Sequence, residues 1–137
     1  MNGRSIVGTC RWAALIGALA VAGVAGAQYP QVLKLVKTTV IPDSNIVFSV
    51  ALKAPAGDAE WAAVQKSAAN LVAGARQLLP LGPDSGREAW VEFAEGLRIA
   101  SQRAADAAAA RNAAAVVAAG DAMFAQCEGC HRIYMAK

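Results

Sequence analysis

The sequence predicts an all-α protein built as an antiparallel four-helix bundle. Three observations carry that expectation. Apolar residues recur at spacings of three and four through four stretches of the chain. Proline, glycine and cap-type residues separate those stretches by connections short enough for antiparallel neighbours. Sustained alternation is missing and β-branched residues gather only around Pro42, so no strand is expected.

The first helix begins at Pro30, a good first-turn residue, and places Val32, Leu33, Val36 and Val40 on one face. Pro42 interrupts it by removing a backbone donor and disfavouring helix at Ile41. Ser44 is the expected cap of a restart through Ile46, Val47 and Val50, so the helix is kinked or split. After the Ala54-Pro55-Ala56-Gly57 turn, Asp58 is the expected N-cap of the second helix. Its stripe runs through Trp61, Val64, Ala68, Leu71, Val72, Ala75, Leu78 and Leu79. The segment from Pro80 to Gly86 ends it. The third helix carries Trp90, Phe93, Ala94, Leu97, Ala100 and Ala104, and the alanine-rich stretch 104–115 reads as a helix end and tight corner. Asn112 caps the fourth helix, which runs from Ala113 to Tyr134 with Val117, Gly120, Phe124, Cys127, His131 and Tyr134 expected to face inward.

Two regions divide the 137 residues: an exported leader over 1–27 and one helical domain over 28–137. Arg4 and Arg11 precede an apolar run from Trp12 to Val24, which ends in the small-residue tripeptide Ala25-Gly26-Ala27. The run is shorter than the roughly 20 apolar residues of a membrane span, so cleavage is expected rather than anchoring. No twin arginine is present, and Cys10 precedes the apolar run, unlike a lipidated cysteine. The expected location is the periplasm, with no stable membrane span after cleavage. Removing the leader takes two of 13 basic residues and none of the 10 acidic ones, leaving 11 against 10, or +1. No basic cluster with interleaved aromatics occurs, which argues against a nucleic-acid partner.

Only Cys127 and Cys130 remain after cleavage, in the run Cys127-Glu128-Gly129-Cys130-His131. A C-x-x-C-H sequence attaches haem for a geometric reason. Thiols three apart on a helix occupy neighbouring surface positions and add across the two porphyrin vinyl groups. The next residue, His131, supplies the proximal iron ligand. Glu128 is expected in solvent, and Gly129 is expected to permit close approach to the ring. A thioredoxin-type pair belongs near a βαβ pattern, which is missing. A structural zinc site needs four ligands, and the mature chain offers two cysteines and one histidine. A plain disulfide leaves His131 unexplained. One haem c per chain is the expected cofactor, and its two propionates bring the net charge to about −1.

The position of this motif on the last of four helices, continuing as Arg132-Ile133-Tyr134, resembles the class II cytochromes c, the cytochrome c′ and cytochrome c-556 group. The resemblance covers the architecture of the whole mature chain, but its motif evidence is confined to Cys127, Cys130, His131 and the aromatic Tyr134. Met135 stands where cytochromes c′ usually have an arginine, so tuning by that arginine is not carried over; Arg132 and Lys137 are the nearby cations. In low-spin members of the group a methionine on the first helix binds iron opposite the histidine. In cytochromes c′ an apolar residue sits there and iron stays five-coordinate.

The first helix has no methionine, and the resemblance puts Leu33 and Val36 at the distal face, with Val40 and Phe48 as further candidates. Tyr134 is expected to pack near the haem. Met135 lies one turn beyond His131 on the proximal side, and Met123 lies about 12 Å before it on the same helix. Lys34 and Lys37 are expected in solvent. Two functions follow: electron transfer with periplasmic redox partner proteins, or binding of nitric oxide or carbon monoxide at an open iron position. An apolar pocket disfavours O₂ carriage, and the missing distal acid–base group disfavours peroxidase or other enzymatic chemistry. A homodimer is compatible with the sequence.

Overall fold

Tyr29 to Ser49 forms one bent arm of a four-helix bundle in the computed structural model, which describes residues 29–135. The expected leader, Cys10 and Lys137 lie outside the described residues. The arm consists of α1 (Tyr29–Leu35), a π-helical turn (Val36–Val40) and α2 (Ile41–Ser49). Then come α3 (Asp58–Leu78), a 3-10 turn (Leu79–Leu81), α4 (Arg87–Ala109) and α5 (Ala113–Tyr134). Among the described residues there is no strand.

Of the two expected forms, kinked or split, the arm is not split at Pro42. The backbone stays right-handed helical through Leu35, Val40 and Ile41, and the Ile41 N–H bonds the Val36 carbonyl, five residues back. Widening the helix by one residue accommodates a proline that cannot donate, so the arm bends without breaking. Ser44 does not cap a restart; its hydroxyl donates to the Ile41 carbonyl at 3.1 Å inside a running helix. Burial moves with the π turn. Leu35, Val40, Ser44, Val47 and Val50 are buried, whereas Leu33 is 38% exposed and Ile46 is exposed. The gap of five from Leu35 to Val40 is the imprint of the wide turn.

The other helices follow the expected stripes closely. On α3, Val64, Ala68, Leu71, Val72, Ala75 and Leu78 are buried. Its N-cap is Gly57 rather than Asp58, and the Glu60 carboxylate accepts from the Ala56 N–H at 2.5 Å. On α4, Trp90, Ala94, Leu97, Ala100 and Ala104 are buried, and Phe93 is half-buried. The corner between α4 and α5 is tight: Arg111 takes a left-handed φ of 53°, and the Asn112 N–H bonds the Ala107 carbonyl at 2.9 Å.

Contacts fix the helix directions. Asp43 and Asn70 meet at 3.3 Å, and Thr39 lies against Gly74, so the arm and α3 run oppositely. Trp90 bonds the end of α3 while Arg111 pairs with Asp58 at its start, so α4 reverses α3. Along α4 and α5, Trp90 meets Tyr134, Phe93 meets Gly129 and Gly96 meets Gln126, again in opposite order. Phe48 of α2 lies against Gly120 and Phe124 of α5 and closes the ring of four. No described helix is long and apolar enough to cross a membrane.

Candidate functional site

The last two turns of α5 carry the motif. Asn112 starts that helix as expected, its side chain accepting from the Ala115 N–H at 3.0 Å. Four turns of helix then carry the chain to Gln126, so Cys127 to Tyr134 lies at the end of the bundle where α1 begins and the α3–α4 connection crosses. The inward phase differs from the sequence reading by one residue. Val116, Ala119, Gly120 and Met123 are buried, and Met123 is fully so, whereas Phe124 is 59% exposed. Continuing that buried row by threes and fours gives Cys127, Cys130 and Tyr134, all partly buried against the core.

Both thiols are free and half-buried. Burial pushes each of them above the ordinary thiol range, and Cys127 adds a smaller like-charge effect on Cys130. His131 is exposed rather than inward-facing, and among the described residues no side chain hydrogen-bonds its imidazole. Adjacent helix positions point about 100° apart, so Cys130 and His131 diverge. Among the described residues no three cysteine, histidine or carboxylate side chains converge as a metal cluster. What this turn offers is two partly buried thiols and one exposed imidazole that diverge from one another.

The neighbouring residues of the motif have settled places. Glu128 is exposed and accepts from Arg132 at 3.0 Å, which keeps Arg132 on the outer surface. A Cβ on Gly129 would collide with the Phe93 ring of α4. Tyr134 also turns toward α4. Its ring stands edge-on to Trp90 with centroids 5.2 Å apart, and its hydroxyl donates to the Gly86 carbonyl. Met135 is exposed.

The first arm stands at the same level as the motif. Phe48 packs on Gly120, and eight residues back along the arm, or forward along α5, covers about 12 Å. That brings Val40 level with Glu128, and Val36 level with Arg132. Val36 is half-buried, Val40 is buried, and Lys34 and Lys37 are exposed. The arm packs on α5 through α2; α1 and the π turn share no packed seam with it among the described residues. A shallow cleft of about 170 Å³ lies between α2 and α5, with Phe48, Val117, Gly120 and Phe124 in its walls. Phe124 and His131 are seven residues apart, on one stripe of α5.

The close approaches at Gly129, Gly96 and Gly86 do not follow from the sequence reading. The available signal is the repetition of glycine in helical stretches otherwise rich in alanine, which marks places where a neighbouring side chain comes close. Comparisons with protein-family models, curated proteins and solved structures find no match to this chain.

Proposed function

We propose that this chain is a c-type cytochrome of class II type, carrying one covalent haem c and transferring electrons to redox partner proteins in the periplasm. The observation that carries the reading is Cys127-Glu128-Gly129-Cys130-His131 on the last helix, with both thiols free and the imidazole unengaged. Cys127 and Cys130 anchor the group by thioether bonds, each S–H adding across a vinyl with no other product. His131 holds the iron on the proximal side. A one-electron iron couple is the chemistry the group supplies when bound. Phe124 and Leu33 are exposed apolar side chains that such a group can cover, and burial of the half-buried thiols keeps their attachment points out of bulk water.

The test is expression of the full chain in a host with cytochrome c maturation. Purified protein should gain the mass of one haem, retained after acid–acetone extraction, and Cys127→Ala with Cys130→Ala should lose it. A wild-type product without covalent haem overturns the reading.

A second reading has its own support. Residues 29–50 contain no methionine, histidine or cysteine, and Lys34 and Lys37 face solvent. With Val36 and Val40 level with the motif, a haem held by His131 would meet no methionine, histidine or cysteine of the arm, and would supply an open position for nitric oxide or carbon monoxide in the ferrous state. High-spin absorption and EPR spectra are expected. A low-spin spectrum with a sulfur-to-iron charge-transfer band overturns five-coordination, and a ferrous protein inert to carbon monoxide overturns gas binding.

A further inference from the structure

We propose that Tyr134 is a positioning residue for His131, holding the helix turn that presents the imidazole by a clasp onto Gly86 and Trp90. This rests on the haem reading for its functional consequence, but the clasp itself is independent of it.

The turn from Cys130 to Tyr134 is the last of α5, where helices fray because their final carbonyls lack partners. Past the helix's own ladder the backbone adds one capping bond, from the Met135 N–H to the His131 carbonyl at 2.9 Å. Arg132 bonds only Glu128 of the same helix. Among the described residues, the Tyr134 hydroxyl makes the one hydrogen bond tying this turn to another element, reaching across 48 positions of sequence.

The receiving end is well fixed. Gly86 adopts φ 77°, which favours glycine, and its carbonyl also accepts the first α4 bond, from the Trp90 N–H at 3.1 Å. A Cβ on Gly86 would come within 3.3 Å of the Tyr134 oxygen, so the missing side chain leaves room for the clasp. Trp90 is itself locked, its indole N–H donating to the Leu78 carbonyl at 2.7 Å and its ring filling the space beside Gly82. Tyr134 thereby ties the end of α5 to the start of α4 and, through Trp90, to the end of α3. It lies three residues after His131 and four after Cys130, one helical turn away. A shift of its ring rotates the backbone from which the imidazole projects.

The experiment compares wild type with Tyr134→Phe, which keeps the ring and removes the hydroxyl, and with Val64→Ala, which weakens the buried α3 stripe away from the motif. In apoprotein, Tyr134→Phe should speed amide hydrogen exchange in residues 130–135 by about fivefold, the factor supplied by one ordinary hydrogen bond, with no such local change in Val64→Ala. In holoprotein, Tyr134→Phe should keep its covalent haem but shift the iron–imidazole stretching band and the midpoint potential. Val64→Ala should lower the melting temperature and leave both unchanged. Unchanged exchange in Tyr134→Phe overturns the clasp. Faster exchange with an unmoved iron–imidazole band overturns the positioning role. A wild-type chain that matures without haem overturns the haem reading alone, and the exchange measurement still decides whether Tyr134 holds the turn.

Discussion

Gly129 lies between the two cysteines, yet the group that occupies the space beside it is the Phe93 ring of α4. A methyl added there has no open volume to enter, so Phe93 or the α5 backbone must move. Gly129→Ala should destabilise the apoprotein by about 1–3 kcal/mol, the usual cost of overpacking, read as a lower denaturation midpoint. An unchanged midpoint would show that the α4–α5 seam is loose. The thiols on either side give a pH effect. Burial holds Cys127 and Cys130 above the ordinary thiol range, so the folded chain keeps them protonated where an unfolded chain ionises. Their contribution is fully present below about pH 8.5 and is lost as pH rises toward the folded values. Apoprotein stability should therefore fall above that pH, and Cys127→Ser with Cys130→Ser should flatten the slope. Parallel pH profiles for the two proteins would refute the assignment.

Individual helices divide sharply into what is readable from sequence and what is not. Asn112 announces α5 because an amide side chain before an alanine run is a strong cap, and it does accept from Ala115. Asn112→Ala should cost about 1 kcal/mol in a denaturant titration, with no change if the cap is only decorative. The rotation of α5 is harder to read. Alanine buries almost as readily on either side of a helix, so residues 113–119 hardly specify which face turns inward, and bulky Phe124 draws the expected stripe toward itself. Packing on α4 and α2 selects Val116, Ala119 and Met123 instead. The first arm misleads for a different reason. A period of three to four assigns Leu33 and Val36 to one face, but the π turn inserts a step of five between Leu35 and Val40. Pro42 signals the irregularity, although its local solution is a wider turn and not a break. The motif's residues are fully legible, and the clasp at Tyr134 is not, because it joins positions 48 apart.

At the scale of the molecule, the core is built largely from alanine and valine; Leu71 and Met123 are the largest fully buried side chains. Small side chains let helices approach closely but bury little apolar area each, so the bundle gains less from water exclusion than a leucine-rich one of equal length. At the motif end the arm and α5 part company, packing together only through α2, and Leu33 and Phe124 remain exposed. Under the proposed function the attached group would shield apolar surface of Leu33 and Phe124 that is exposed among the described residues. Covering two side chains of that size contributes about 2–4 kcal/mol, which for a domain of about 100 residues corresponds to about 10–20 °C in melting temperature. The chain with Cys127→Ala and Cys130→Ala, unable to anchor haem, should melt lower by that amount and bind a hydrophobic dye more strongly than the matured protein. Thermal melts of the two, followed by helical circular dichroism, provide the measurement. Coincident melts would mean that the helices are complete without the group, and that Leu33 and Phe124 are exposed for some reason other than its absence.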